Sequence, residues 1–200
     1  QVDQGLQSCQ GSGVMVEREG ERLLILTNRD VAHPDPTAPP SAIQVSFADG
    51  SIGAGSVAWL APGEIDVALV EVVCQVGPSV VPVAIEAQVP VQIGDQAFAI
   101  GNPLSYQGTY TAGPISSLRT LRVSGHSLRV YQTQAPVNPG NSGGGLYLSD
   151  GRLIGLNTWA TEKSVSEGLG FAIAVDGILR LLEAEGRPLR SSAPGVEDGR

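Results

Sequence analysis

Asn138-Pro139-Gly140-Asn141-Ser142-Gly143-Gly144 is the stretch on which the reading of this chain turns. A serine stands among glycines, in a segment too glycine-rich for the interior of a helix or strand. Glycine lets a backbone turn tightly and bring its N–H groups close to a ligand. On such a turn the Ser142 hydroxyl can be presented with the N–H groups of Gly140 and Ser142 converging beside it. A nucleophile next to an oxyanion hole supplies the two parts that acyl transfer needs most. Taken alone, Gly-x-Ser-x-Gly is equally a glycine-rich turn, so its flanks matter. The wider stretch, Tyr131 to Trp159, reads YQTQAPVNPGNSGGGLYLSDGRLIGLNTW.

Outward from the serine the chain is a series of short apolar runs separated by turn residues. Gly145 to Leu148 and Leu153 to Trp159 flank Asp150-Gly151, a hairpin pair. Asp95 to Gly101, Thr109 to Leu121, Leu128 to Thr133 and Gly168 to Ala174 complete this second series. Gly77 to Pro90 is a proline-punctuated connector. Before it, Gly11 to Val16 and Arg22 to Asn28 form a hairpin broken by Glu-Gly-Glu. Ile43 to Phe47, the turn pair Asp49-Gly50, Ser56 to Leu60 and Ile65 to Val73 follow. These five runs and one further short strand, six by about residue 74, are expected to make one small barrel. Arg29 to Ala32 makes one helical turn ended by Pro34, and HPDPTAPPS, with four prolines, is a loop. Asp176 to Glu185 (DGILRLLEAE) is a helix with Asp176 as N-cap. Ile178, Leu181 and Leu182 share one face, and Gly186 with Pro188 ends it. Strands separated by frequent turns read as an all-β sandwich or barrel.

The totals bound the function. Two hundred residues suit one domain or two small barrels sharing a core. An apolar fraction of 42% can bury a core, and 26 glycines favour many tight turns. The net charge of −8, without a lysine or arginine block, argues against nucleic acid and anionic membrane as partners. No apolar run approaches the ~20 residues of a membrane helix, so membrane insertion is not expected. The chain opens Gln-Val-Asp without methionine, which is compatible with a removed leader and an extracytoplasmic location. Cys9 and Cys74 are either one disulfide or two buried thiols, and no CxxC spacing marks a metal site.

The ordered motifs resemble the HtrA/Deg-type trypsin-like serine peptidases over about residues 11 to 176. The Tyr131 to Trp159 stretch resembles that family's nucleophile region. LLILTNRDV (Leu23 to Val31) resembles its histidine-bearing strand and turn, and IDVALVEV (Ile65 to Val72) its aspartate strand. AIGNP (Ala99 to Pro103) and GLGFAIAVD (Gly168 to Asp176) resemble two strands of its second barrel. The resemblance implies two perpendicular six-stranded antiparallel barrels with the active site between them, and a C-terminal helix. The expected layout is a peptidase domain over 1–186, with barrels at about 11–76 and 91–175 and the helix at 176–186. A flexible tail or linker at 187–200 follows. It also implies a triad at Asp30, Asp66 and Ser142, and an oxyanion hole at Gly140 and Ser142. A pocket lies beside Ala135, Pro136, Val137 and Asn138, with Asn157, Thr158 and Trp159 on the opposing wall. With no acidic residue in 135–138, small or medium apolar side chains are expected there. The partner is a protein or peptide substrate, and neither cofactor nor metal is called for. Members often trimerise through aromatic N-terminal extensions and carry a PDZ domain. Residues 1–10 hold no aromatic residue, and no PDZ domain lies within these 200 residues.

One position departs from the family. Where its motif is TNxHV, this chain has Asp30. An aspartate is a weaker base than histidine by about 3.5 kcal/mol of proton affinity, and it is too short to bridge Asp66 and Ser142. Two carboxylates meeting there repel and one pKa rises. Loss of the base in a related serine peptidase costs on the order of 10⁶ in turnover, so this form is expected to be inactive or nearly so. His33, before Pro34, reads as a loop residue and His126 as a surface residue in a polar turn. Asp30, His33 and Asp35 lack an evident fourth ligand for a metal. An α/β-hydrolase elbow needs a helix after Ser142 and a histidine beyond it, and neither is present. The leading expectation is therefore a serine endopeptidase domain lacking its base. The alternative is a pseudoprotease that binds peptides without cutting them. A structural β-protein with an incidental GNSGG sits poorly with the ordered motifs.

Overall fold

The computed structural model describes residues 10–37, 42–86, 88–101, 108–137, 140–158 and 170–189. Its first strands are β1 (Val14–Glu19), β2 (Arg22–Thr27), β3 (Ile43–Ser46), β4 (Ile52–Leu60) and β5 (Ala68–Val73). They pair in the order β1-β2-β5-β4-β3, every neighbouring pair antiparallel. Six further strands are β6 (Gln96–Gly101), β7 (Thr109–Val123), β8 (His126–Thr133), β9 (Gly145–Leu148), β10 (Leu153–Thr158) and β11 (Gly170–Ala174). These close into an antiparallel barrel, β10-β11-β8-β7-β6-β9. Helices α1 (Arg29–Ala32) and α2 (Val175–Ala184) complete the described elements.

The two-sheet, all-β architecture is the one expected, with a correction in the first sheet. Among the described residues it has five strands rather than six and stays open. Residues 52 to 60 form a single strand that absorbs a bulge between Val57 and Trp59. The connector after Cys74 adds no strand; it touches β1 through one backbone bond, Val83 N–H to Met15 C=O at 2.9 Å. Arg18 anchors it further, donating to the carbonyls of Val76, Gly77 and Val80 at 3.0, 3.0 and 2.7 Å. Cys74 is buried, and Cys9 lies outside the described residues.

One apolar cluster joins both sheets. Val14, Leu26, Ile65, Val67 and Leu69 from the first half pack with Leu153, Leu156, Ile173 and the buried face of α2. That face is Ile178, Leu181 and Leu182, the residues the 3.6-residue period selects. The helix starts one residue earlier than expected. β11 runs straight into it, Val175 is buried, and Ala174 holds the cap position without a side-chain bond. Asp176 thus lies inside the first turn, where it accepts from the Gly177 N–H and pairs with Arg180. Gly186, at φ +68°, ends the helix, and the Arg187 N–H returns to the Leu182 carbonyl at 2.8 Å. A Cβ at Gly186 meets nothing within 4 Å, so only the backbone resists it. Gly186→Ala is expected to cost about 1–2 kcal/mol in urea unfolding.

Candidate active site

Asp66, the candidate acid, stands off its strand. β5 begins at Ala68, two residues after Asp66, which corrects the expected strand start at Ile65. The Val67 N–H bonds the Ile65 carbonyl at 2.9 Å, so Asp66 is the middle residue of a tight three-residue turn. Asn28, fully buried, donates its side-chain amide to the Asp66 carbonyl at 2.9 Å and ties this turn to the start of α1. The first N–H groups of any helix lack partners within the helix. In α1 one of them, from Asp30, donates to Asp66 Oδ1 at 3.1 Å. The other oxygen, Oδ2, accepts from the Thr158 hydroxyl at 2.7 Å. The Asp66 carboxylate is therefore held from both halves of the molecule.

Ser142 is fixed by a different set of contacts. The Ser12 N–H donates to the Ser142 carbonyl at 2.8 Å, and the Ser12 hydroxyl to the Gly140 carbonyl at 2.5 Å. The Ser12 carbonyl in turn accepts from the Thr27 hydroxyl at 2.7 Å, directly before α1. On the other side, Gly143 N–H meets the Asn157 carbonyl at 2.9 Å and Asn157 N–H meets the Gly144 carbonyl at 2.8 Å. Gly140 and Gly143 have φ of +100° and +82°, which glycine alone adopts freely. A Cβ at Gly11 would lie 2.5 Å from Val31 and 3.1 Å from the Ser142 carbonyl, so α1 and the serine turn lie on either side of this glycine. The structure thus brings Asp30, Asp66 and the Ser142 turn to one place, spanning both sheets.

Asp30 carries the electrostatic anomaly. Its carboxyl is pushed up to about 6 by desolvation first, and then by the Asp66 charge beside it. The sign follows from linkage. A carboxyl whose folded pKa lies above its unfolded value stabilises the fold below the unfolded value. That contribution is lost as pH rises through about 6. Asp30 keeps an exposed side, so the effect is discounted for solvent to about 1–2 kcal/mol. Urea unfolding should show the chain losing that much more stability between pH 4.5 and 7.5 than Asp30→Asn does. Parallel pH profiles would contradict the assignment.

The remaining candidates are distributed around the serine. Ala135 is buried and Pro136 exposed, while Val137 is half-buried with its methyl 2.5 Å from where a Cβ at Gly170 would stand. Asn157 is buried, with its amide on the Gly145 carbonyl at 3.0 Å. Thr158, expected on a pocket wall, spends its hydroxyl on Asp66. Asn138 and Trp159 lie outside the described residues. His126, expected in a turn, is half-buried as the first residue of β8. Among the described residues no group of three or more His, Cys, Asp or Glu could hold a metal, and no helix is long and apolar enough to cross a membrane. A cleft of about 390 Å³ by Met15, Val83 and Tyr147 is lined by none of the candidate residues.

Sequence reasoning did not find Ser12, Asn28 or the Asp66 bond of Thr158. Ser12 stands in a Gly-Ser-Gly that could have been flagged as a second close-approach segment. The buried side-chain oxygens of Asn28, Asn141 and Asn157 have no protein partner among the described residues. Each such group costs about 1–3 kcal/mol when left unsatisfied, and all three flank this site.

Comparison with known proteins gives the class first. The trypsin-like peptidase domain family matches residues 11–156. Serine protease PepD of Mycobacterium tuberculosis is 36% identical over 202 residues, covering 92% of this chain and 42% of PepD. Serine protease Do-like HtrA of Bacillus subtilis is 32% identical over 190 residues, covering 88% of this chain and 39% of that protein. A solved structure of the HtrA-type protease AlgW with a decapeptide superposes with a TM-score of 0.70 at 32% identity, covering 90% of this chain and 53% of that one. The chain belongs to the trypsin-like serine peptidases of HtrA/Deg type. It spans about two fifths of the length of these curated relatives.

Proposed function

We propose that this chain is the peptidase domain of an HtrA-type serine endopeptidase in which Asp30 occupies the place of the general base. Ser142 is the nucleophile, Asp66 the orienting acid, and the N–H groups of Gly140 and Ser142 form the oxyanion hole. The observation that carries this reading is the Asp30 N–H on Asp66 Oδ1, with the opposite oxygen held by Thr158. These two bonds support the reading of residue 30 as the position of the base, beside a carboxylate held on both oxygens.

The mechanism shows what is lacking. Serine attack on a peptide carbonyl needs a group to accept the hydroxyl proton and return it to the leaving amine. A carboxyl at position 30 beside a second carboxylate is protonated or repelled, and it lacks the two opposed nitrogens with which an imidazole spans the gap. The chain as it stands therefore binds an extended peptide beside Ser142 and turns it over slowly or not at all. Small or medium apolar side chains fit beside Ala135 and Val137, where Gly170 leaves no room for a Cβ. The AlgW structure with a decapeptide supports a peptide as the ligand class. The test is hydrolysis of an unfolded protein by the chain and by Asp30→His, side by side. We expect cleavage by the variant alone. Ordinary turnover by the unmodified chain would overturn the account of Asp30. If neither cleaves but extended peptides bind, the reading becomes a pseudoprotease binding module.

A further inference from the structure

The tip of the β7–β8 hairpin makes a contact that its own turn does not require. Ser124 and Gly125 form a two-residue turn with φ of +49° and +83°, the left-handed pair of a tight hairpin. Ser124 is the one non-glycine residue with positive φ among those described. A serine there costs more than glycine or asparagine would, so the side chain has to return something. Its hydroxyl oxygen accepts the Glu64 N–H at 2.9 Å, across sixty residues of sequence and from one half of the molecule to the other. The approach is close: a Cβ on Gly63 would stand 2.5 Å from the Ser124 Cβ.

Glu64 belongs to the loop that delivers Asp66. The opposite side of this loop is also held. Arg29, the residue before Asp30, donates through Nη1 to the carbonyls of Ala61 and Gly63 at 2.7 and 2.5 Å. Residues 61–64 are thus gripped between α1 and the hairpin tip, two residues before the carboxylate. With the carboxylate only two residues beyond this grip, the reach of the chain limits how far Asp66 can move relative to residue 30.

We infer that Ser124 is a positioning residue for Asp66, the hairpin tip of the barrel setting the aspartate loop of the five-stranded sheet. This rests on the proposed roles of Asp66 and residue 30. Among the described residues no hydrogen bond joins Ser124 to Ser142 or Gly140, so the effect proposed for it reaches the chemistry through Asp66. A misplacement of about 1 Å in a reacting constellation can cost on the order of 10²-fold in rate.

Ser124→Gly tests the inference. It removes the hydroxyl while relieving the left-handed backbone, so the hairpin keeps its turn. Ser124→Ala removes the hydroxyl and keeps the backbone cost. The first readout needs no activity: the titration midpoint of the Asp30 side-chain carboxyl by carbon-13 NMR in the otherwise unmodified chain. We expect it to fall from about 6 by about one unit in both variants as Asp66 moves off. The second readout is kinetic, in the Asp30→His background. There kcat should fall about tenfold or more with KM changed less than about twofold. A purely structural role would lower the melting temperature and move neither readout, and an unchanged Asp30 midpoint in both variants overturns the inference. A shifted midpoint in a chain whose Asp30→His form never cleaves would uphold the role of Ser124 and sink the peptidase reading instead.

Discussion

Asp30→His is expected to raise turnover on an unfolded protein substrate by about three to five orders of magnitude, 4–7 kcal/mol off the barrier. The size comes from what is already in place. Removing the base from a related triad costs on the order of 10⁶, and most of the residual rate belongs to the oxyanion hole and binding. The backbone at residue 30 already donates to Asp66 Oδ1, so an imidazole enters a site whose acid needs no rearrangement. Thr158 donates to the second oxygen, so the carboxylate is fixed in orientation and does not have to be ordered when the new ring's N–H bonds to it. The substitution also removes one of two repelling carboxylates, so the variant should be at least as stable as the parent at pH 7.5. Initial rates check the gain, and Asp30→Asn should show none.

Gly143→Ala is expected to be the most damaging single methyl in the site, costing about 3–5 kcal/mol in urea unfolding. Gly143 has φ +82°, which alone costs an alanine about 1–2 kcal/mol. The added Cβ would also press on the Ser12 carbonyl and the Thr27 hydroxyl, and lie 3.1 Å from the Asn28 amide. Two of these are backbone atoms. Ser12 is tied to Ser142 and Gly140, while Asn28 is tied to Asp66, so neither can yield without moving the site. The loss is a large part of the ~5–15 kcal/mol that a domain has to spare. Gly20→Ala is the control, at φ +63° with nothing within 4 Å of its Cβ. It should lose only the backbone part, and equal losses at the two positions would show that the packing around Gly143 is looser than described.

Strand positions were legible because apolar runs between Asp49-Gly50, Asp150-Gly151 and Glu-Gly-Glu carry both the strand and its turns. The helix was legible from the spacing of Ile178, Leu181 and Leu182. Its first residue was not, since the absence of a loop after β11 is a tertiary fact that moved Asp176 inward. Asp66 was singled out from the sequence, but its turn was hidden inside the strand-like run from Ile65 to Val73. The Thr158 bond to Asp66 spans ninety-two positions. Pairing of β10 with β11 and packing between the two halves create it, and no local pattern announces such a contact. Ser12 is similar: a small residue between glycines reads as a turn until the Ser142 loop is laid against it. The sixth strand expected in the first series is not found among the described residues because only five apolar runs precede Cys74, one for each of β1 to β5.

The most direct test of the central claim is labelling with a fluorophosphonate, located by peptide mass spectrometry, on the chain, on Asp30→His and on Asp30→His with Ser142→Ala. The account predicts adduct on Ser142 in the Asp30→His variant, little or none in the chain, and none once Ser142 is removed. Labelling of Asp30→His that persists without Ser142, or an Asp30→His variant that folds normally and does not react, would contradict it.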